Sequence, residues 1–124
     1  MFTKEDVLKI SKEHFLANGY QVQEIDYLMV TKDEVKYRVF ALGTVNDHNG
    51  SSKIGRSFNK NQIKSLLGLC LFEIVAFNKA CKLILPDTKL FRKQFELINS
   101  GLSHFPVETY YISEVGIIFP AIKQ

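Results

Sequence analysis

The stretch NKNQIKSLLGLCLFEIVAFN, Asn59 to Asn78, constrains the fold more than any other part of the chain. Asn59 with Gln62 three residues on is a helix-opening pair. From Leu66 onward the helix it opens is apolar nearly all round. Such a helix is expected to be covered on most sides, with Gly68 allowing a neighbouring strand or helix to come close. The apolar run Leu66 to Phe77 contains Glu73 and is shorter than the ~18 uninterrupted apolar residues of a membrane span.

The remaining elements follow from periodicity and punctuation. Thr3 with Asp6 predicts a capped helix over Lys4 to Asn18, with Phe2 and Val7 as a hydrophobic staple. Val7, Ile10 and Phe15 give it an apolar stripe, and Gly19 a left-handed stop. Tyr20 to Val22, Ile25 to Thr31 and Val35 to Val45 read as strands of an antiparallel meander, with Lys32-Asp33-Glu34 as a polar turn. Asn46 to Ser52, NDHNGSS, reads as a polar loop. After the central helix, Lys82 to Leu85 reads as a strand stopped by Pro86. Asp87 is placed to cap a helix from Thr88 to Asn99 that ends at Ser100-Gly101. Glu108 to Ser113 and Gly116 to Phe119 close the chain as strands. The order αβββαβαβ predicts an α/β fold of the mixed (α+β) kind. A central mixed sheet is flanked by helices, with a parallel crossover in the middle, and residues 1–124 form one domain.

Composition narrows the class. With 124 residues, 46% hydrophobic and 23% charged, the chain has ordinary globular proportions. Two cysteines are too few for a disulfide scaffold, and Cys70 and Cys81 are expected as free, buried thiols. The charged N-terminus lacks the apolar core of a signal peptide, which predicts a cytoplasmic protein with no membrane partner. The net charge of +3 is unevenly spread: residues 53–93 carry nine basic and two acidic side chains. The flanks carry six basic and eight acidic before it, and one basic and three acidic after it. A local basic excess of this kind serves either as a solvated face or as a set of phosphate contacts.

Motifs for several chemistries are missing. His14, His48 and His104 are scattered, so no zinc spacing forms. Phosphate-cradling GxxxxGK[ST] and GxGxxG runs and the GxSxG elbow are absent as well. The suggestive acid is Asp26, in EIDYLMV. Strand alternation would put it on one face with Leu28 and Val30, where it is either solvated or aimed into a site.

The element order and several segments resemble the restriction-endonuclease-like, PD-(D/E)XK nuclease superfamily, nearest to Holliday-junction resolvases and excision-controlling factors. The likeness runs from about Glu5 to Ile118. GYQVQEIDYLMV resembles the strand bearing the first metal-binding Asp, which would be Asp26. SFNKNQIKSLLGLCLFEIV resembles the helix that opens with a Gln, here Gln62, and CKLILPDTKLFRKQFELI resembles the strand and helix after it. YRVFALGTV resembles the strand that ends in the acid-x-Lys pair. There Ala41 stands in place of the second carboxylate and Gly43 in place of the lysine. Mg²⁺ wants several oxygen ligands in octahedral order, so one Asp is a poor site for it.

The resemblance therefore implies a catalytically degenerate nuclease-fold protein that acts as a nucleic-acid-binding or regulatory subunit, without a cofactor. Asp26, Gln62 and Lys64 would be the remnant site. Lys53, Arg56, Lys60 and Lys64 would contact nucleic acid. Two alternatives stand beside it: an active Mg²⁺-dependent endonuclease with a rearranged site, and a protein-interaction module with a protein partner or a homodimer.

Overall fold

A computed structural model describes residues 2–45 and 58–121. Residues 46–57, Lys53 and Arg56 among them, lie outside the described residues. The elements are α1 (Lys4–Ala17), β1 (Gln21–Glu24), β2 (Leu28–Lys32), β3 (Val35–Ala41), α2 (Lys60–Phe77), β4 (Cys81–Pro86), α3 (Lys89–Glu96), α4 (Asn99–Leu102), β5 (Val107–Ile112) and β6 (Ile118–Pro120). The protein is a mixed α/β fold: one six-stranded sheet in the order β1-β2-β3-β4-β5-β6. The β1–β2, β2–β3 and β5–β6 pairs are antiparallel; β3–β4 and β4–β5 are parallel, as helical crossovers require.

Local chemistry sets the ends of the elements. Thr3 and Asp6 form a reciprocal capping box on α1, and Asn59 and Gln62 form another on α2. The Thr3 bonds hold the Asp6 carboxyl below its ordinary range. Asp33 and Glu34 both take positive φ, 52° and 68°, in the two-residue turn that joins β2 to β3. That is the turn geometry whose twist matches paired strands. The third helix differs from expectation. Thr88, not Asp87, is its N-cap, while the Asp87 carboxylate accepts from Arg92 Nε. The helix stops at Glu96, and Gly101 falls inside the short α4.

The sheet separates two cores. On one face α1 packs Val7 and Phe15 over Val30, Val39, Ile84 and Ile112. On the other, α2 and α3 pack Ile63, Leu67, Ile74, Phe91 and Phe95 over Phe40, Leu83 and Leu85. Every residue of β4 is buried, the expected state of a central parallel strand covered on both faces. Cys70 and Cys81 are free thiols in the second core. Burial pushes them up to about 12 and about 11, which keeps both protonated and inert. Among the described residues no helix is long and apolar enough to cross a membrane.

Two expectations about α2 are overturned. It is not covered all round: Leu69 is 67% exposed, Phe72 73% and Val75 49%. Gly68 receives no neighbour, since a Cβ there would meet nothing within 4 Å. The helix has the sheet on one side and α3 beside it, and among the described residues no layer lies beyond.

Candidate functional site

A groove of about 870 Å³ that includes Asp26 opens between α1 and α2, with β3 as its floor. Asp26 does not sit on a strand. The chain bends at residues 25–27, β2 starts at Leu28, and Asp26 is exposed at the groove's edge. The alternation expected for Leu28 and Val30 holds, with both side chains buried. Glu5, Glu24 and Glu73 also line the groove, as do Lys4, Lys9 and Lys12 from α1. No three His, Cys, Asp or Glu side chains among the described residues come together in a way that could hold a metal ion. The acids that line the groove come from α1, β1, the bend at residues 25–27 and α2.

Ala41 is buried in β3. At Gly43 the main chain of residues 2–4 lies directly against the Cα: a Cβ would come within 2.6 Å of Lys4 N and 2.7 Å of the Phe2 carbonyl oxygen. Thr44 N donates to that same carbonyl at 2.7 Å, and Phe2 N donates to Thr44 Oγ1 at 2.8 Å. The entry to α1 is thus clamped onto the segment after β3. No side chain fits at position 43, a lysine least of all.

Neither Gln62 nor Lys64 lines this groove. The Gln62 side-chain oxygen accepts from Asn59 N at 2.8 Å, so its amide serves the cap. Lys64 is exposed on the first turns of α2 with Lys60. Phe58 N donates to the Thr44 carbonyl, and Thr88 follows directly on β4. The N-termini of α2 and α3 therefore lie at one end of the sheet, the carboxyl end of β3 and β4. Neither helix has an acid in its first turn, and each opens with a lysine, Lys60 and Lys89. A second, smaller depression of about 340 Å³ lies at this end, lined chiefly by Phe58, Ile63, Leu90, Phe91 and Ile112.

Two cationic side chains stand out that the sequence reading did not single out. Arg38 lines the groove, and its guanidinium lies 4.2 Å from the Tyr27 ring centroid, 4.5 Å from Phe40 and 5.5 Å from Phe77. Its Nε is buried without a hydrogen-bond partner among the described residues. Lys82, counted by sequence in the basic excess, is fully buried beneath α1 and is unavailable to any phosphate. Its Nζ lies 4.1 Å from the Tyr37 centroid and 5.0–5.3 Å from those of Tyr110, Tyr20 and Phe15. It donates to Tyr110 Oη at 2.8 Å and to the Glu108 carboxylate, its cross-strand neighbour. Burial alone would favour the neutral amine, but the bonds to Glu108 and Tyr110 outweigh it and raise the pKa above the usual lysine range. Burial, followed by the Lys82 charge, lowers His14. The sequence signal for Lys82 was a single cation inside the apolar run CKLILP.

No known family's sequence profile matches this chain, and no curated protein matches it.

Proposed function

We infer that this protein is a nuclease-like fold of the PD-(D/E)XK type that no longer cleaves, and that it acts by binding nucleic acid or a partner that handles it. The observation that carries this reading is Gly43. The position that would hold the water-activating lysine is filled by the main chain of residues 2–4, at 2.6 Å from a Cβ. Two carboxylates and a lysine must be placed within a fraction of an ångström for such chemistry. Here Asp26 has Ala41 opposite it in the motif and no lysine at position 43.

The binding role rests on charge. Lys60 and Lys64 are exposed on the first turns of α2 and Lys89 at the start of α3, helix starts that have no acid in the first turn, and Lys93 is exposed in the last turn of α3. Free N–H groups at helix starts add to the attraction for phosphate. Arg38 on its aromatic platform offers a planar donor to a base or phosphate in the groove.

The test is a titration of duplex, four-way-junction and single-stranded DNA, and of RNA, over a range of salt. Binding should weaken steeply with salt, and Lys60→Glu with Lys64→Glu should abolish it. No substrate should be cut with Mg²⁺ or Mn²⁺. Cleavage that disappears in Asp26→Ala would overturn the degenerate reading in favour of a rearranged active nuclease. Binding that is absent, or insensitive to salt, would remove the nucleic-acid role.

A further inference from the structure

Arg38 is a charged side chain set among aromatic rings with no acceptor of its own. Its Nε is buried without a hydrogen-bond partner, and the guanidinium takes part in none of the ion pairs among the described residues. Tyr27, Phe40 and Phe77 give it ring faces but no carboxylate. A donor left unpaired in such surroundings carries a desolvation cost. An acceptor that enters the groove from outside would remove it.

An acceptor group borders the same groove from α2. Leu66, Cys70 and Glu73 line the groove and recur at helical spacing with Phe77, the ring that reaches Arg38. Glu73 thus stands one turn before Phe77 on that stripe. The Cys70 thiol beside it registers both charges: burial raises it most, Glu73 raises it further and Arg38 lowers it. Yet Arg38 and Glu73 form no ion pair with each other. A donor fork and a carboxylate therefore border one opening and leave each other free. Exposed Ile25 and Leu69 add apolar surface to its lining.

We propose that the groove reads an unpaired guanine, with Arg38 donating to its O6 and N7 and Glu73 accepting from its N1–H and N2–H. This rests on the nucleic-acid reading above and names what the groove selects. Guanine carries an acceptor pair on one edge, the preferred match for an arginine fork, and a donor pair on the next. Adenine sets a donor beside its acceptor where Arg38 needs two acceptors. The pyrimidines lack the adjoining ring and amino N–H groups that a carboxylate spans. The base is unpaired because a duplex would occupy its N1–H and N2–H edge. A phosphate is the poorer match: four cationic and five acidic side chains line the opening, and Lys12 is already paired with Glu24 at 3.5 Å. A flat neutral base with donors and acceptors meets no such repulsion, and Ile25 and Leu69 give its ring apolar surface to lie against.

The nucleoside monophosphates GMP, AMP, CMP and UMP share ribose and phosphate, so comparing them isolates the base. In an NMR titration of the isotope-labelled full chain, GMP should shift the Arg38 Nε–H signal and bind about tenfold more tightly than the other three. Arg38→Lys keeps the charge but gives up the parallel N–H pair, and should bring GMP down to the level of AMP. Glu73→Gln, at an exposed position that leaves the core intact, should weaken GMP several-fold and leave AMP unchanged. Lys60→Glu with Lys64→Glu lies outside the groove. It should leave the GMP preference in place while abolishing binding of single-stranded DNA. Equal or absent shifts with the four nucleotides, or a GMP preference that survives Arg38→Lys or Glu73→Gln, would overturn the proposal. Failure of the nucleic-acid reading looks different: GMP is still selected, but short single strands with or without a guanine do not bind at any salt.

Discussion

The two faces of the sheet invert the usual rule of burial. Under α1 a full positive charge, Lys82, is sealed among four aromatic rings and a carboxylate. On the far side of α2, Leu69 and Phe72 stand in solvent. The difference shows that burial follows partners rather than polarity. The Lys82 ammonium finds ring faces and Glu108 within reach, which replace its lost water. The α2 side chains find nothing among the described residues to cover them. A charge that is fully partnered inside marks structure, whereas apolar surface left without a partner outside marks a contact still to be made.

Substitutions at both places test that contrast. The largest effect is expected for Lys82→Ala, which empties the ring cage and strips Glu108 and Tyr110 of their donor. It should lower unfolding free energy by about 2–4 kcal/mol in a urea titration. Lys82→Met keeps the volume, and the half-exposed Glu108 can turn to water, so the loss should be within about 1 kcal/mol. Equal losses for the two would mean that charge rather than packing holds the cage. Gly43→Ala comes next, at about 1–3 kcal/mol, because its methyl group must displace the main chain of residues 2–4.

A smaller effect is expected with pH. Lys82 is raised, so the unfolded chain loses that proton first. Its contribution is complete below the unfolded value, ~10.4, and fades as pH rises through the folded one. Tyr37 and Tyr110 are raised chiefly by burial and act in the same direction above their unfolded value, ~10. Chemical denaturation at a series of alkaline pH values should therefore show falling stability, with a shallower fall in Lys82→Met. The smallest effect belongs to the opposite face. Phe72→Ser should leave the stability of the single chain, measured at low concentration, within about 0.5 kcal/mol. A large loss there would show that Phe72 is packed against its own chain and break the contrast.

Much of this fold was legible in order and in chemistry. Both capping boxes, the tight turn at Asp33-Glu34, the meander and the central parallel crossover follow from residues close together in sequence, while the second parallel pair, β4–β5, was not foreseen. The candidate site was legible only in part. Asp26 was visible as an acid in an apolar stretch, but the bend at residues 25–27 that takes it off the strand was not, since alternation continues smoothly into Leu28 and Val30. Gln62 was legible twice, as half of a helix cap and as a motif residue by resemblance. Its side chain makes the cap. Arg38 gave no signal, because its aromatic platform is assembled from three separate elements, the bend, β3 and the end of α2. The count of basic residues could not separate Lys82 from Lys60, since the two differ only in which side of which element they face.

By itself the sequence determined the elements and their order, because caps, turns and periodicity act over a few residues and need no distant partner. Only the tertiary structure decided that the main chain of residues 2–4 lies against Gly43. The clamp of residues 2–4 onto Gly43 joins segments some forty residues apart, a contact no local pattern encodes. Tertiary packing likewise decided that the most apolar helix in the chain is left half bare. Hydrophobicity says that a surface seeks cover, and only the arrangement of the other elements says whether the chain itself provides it.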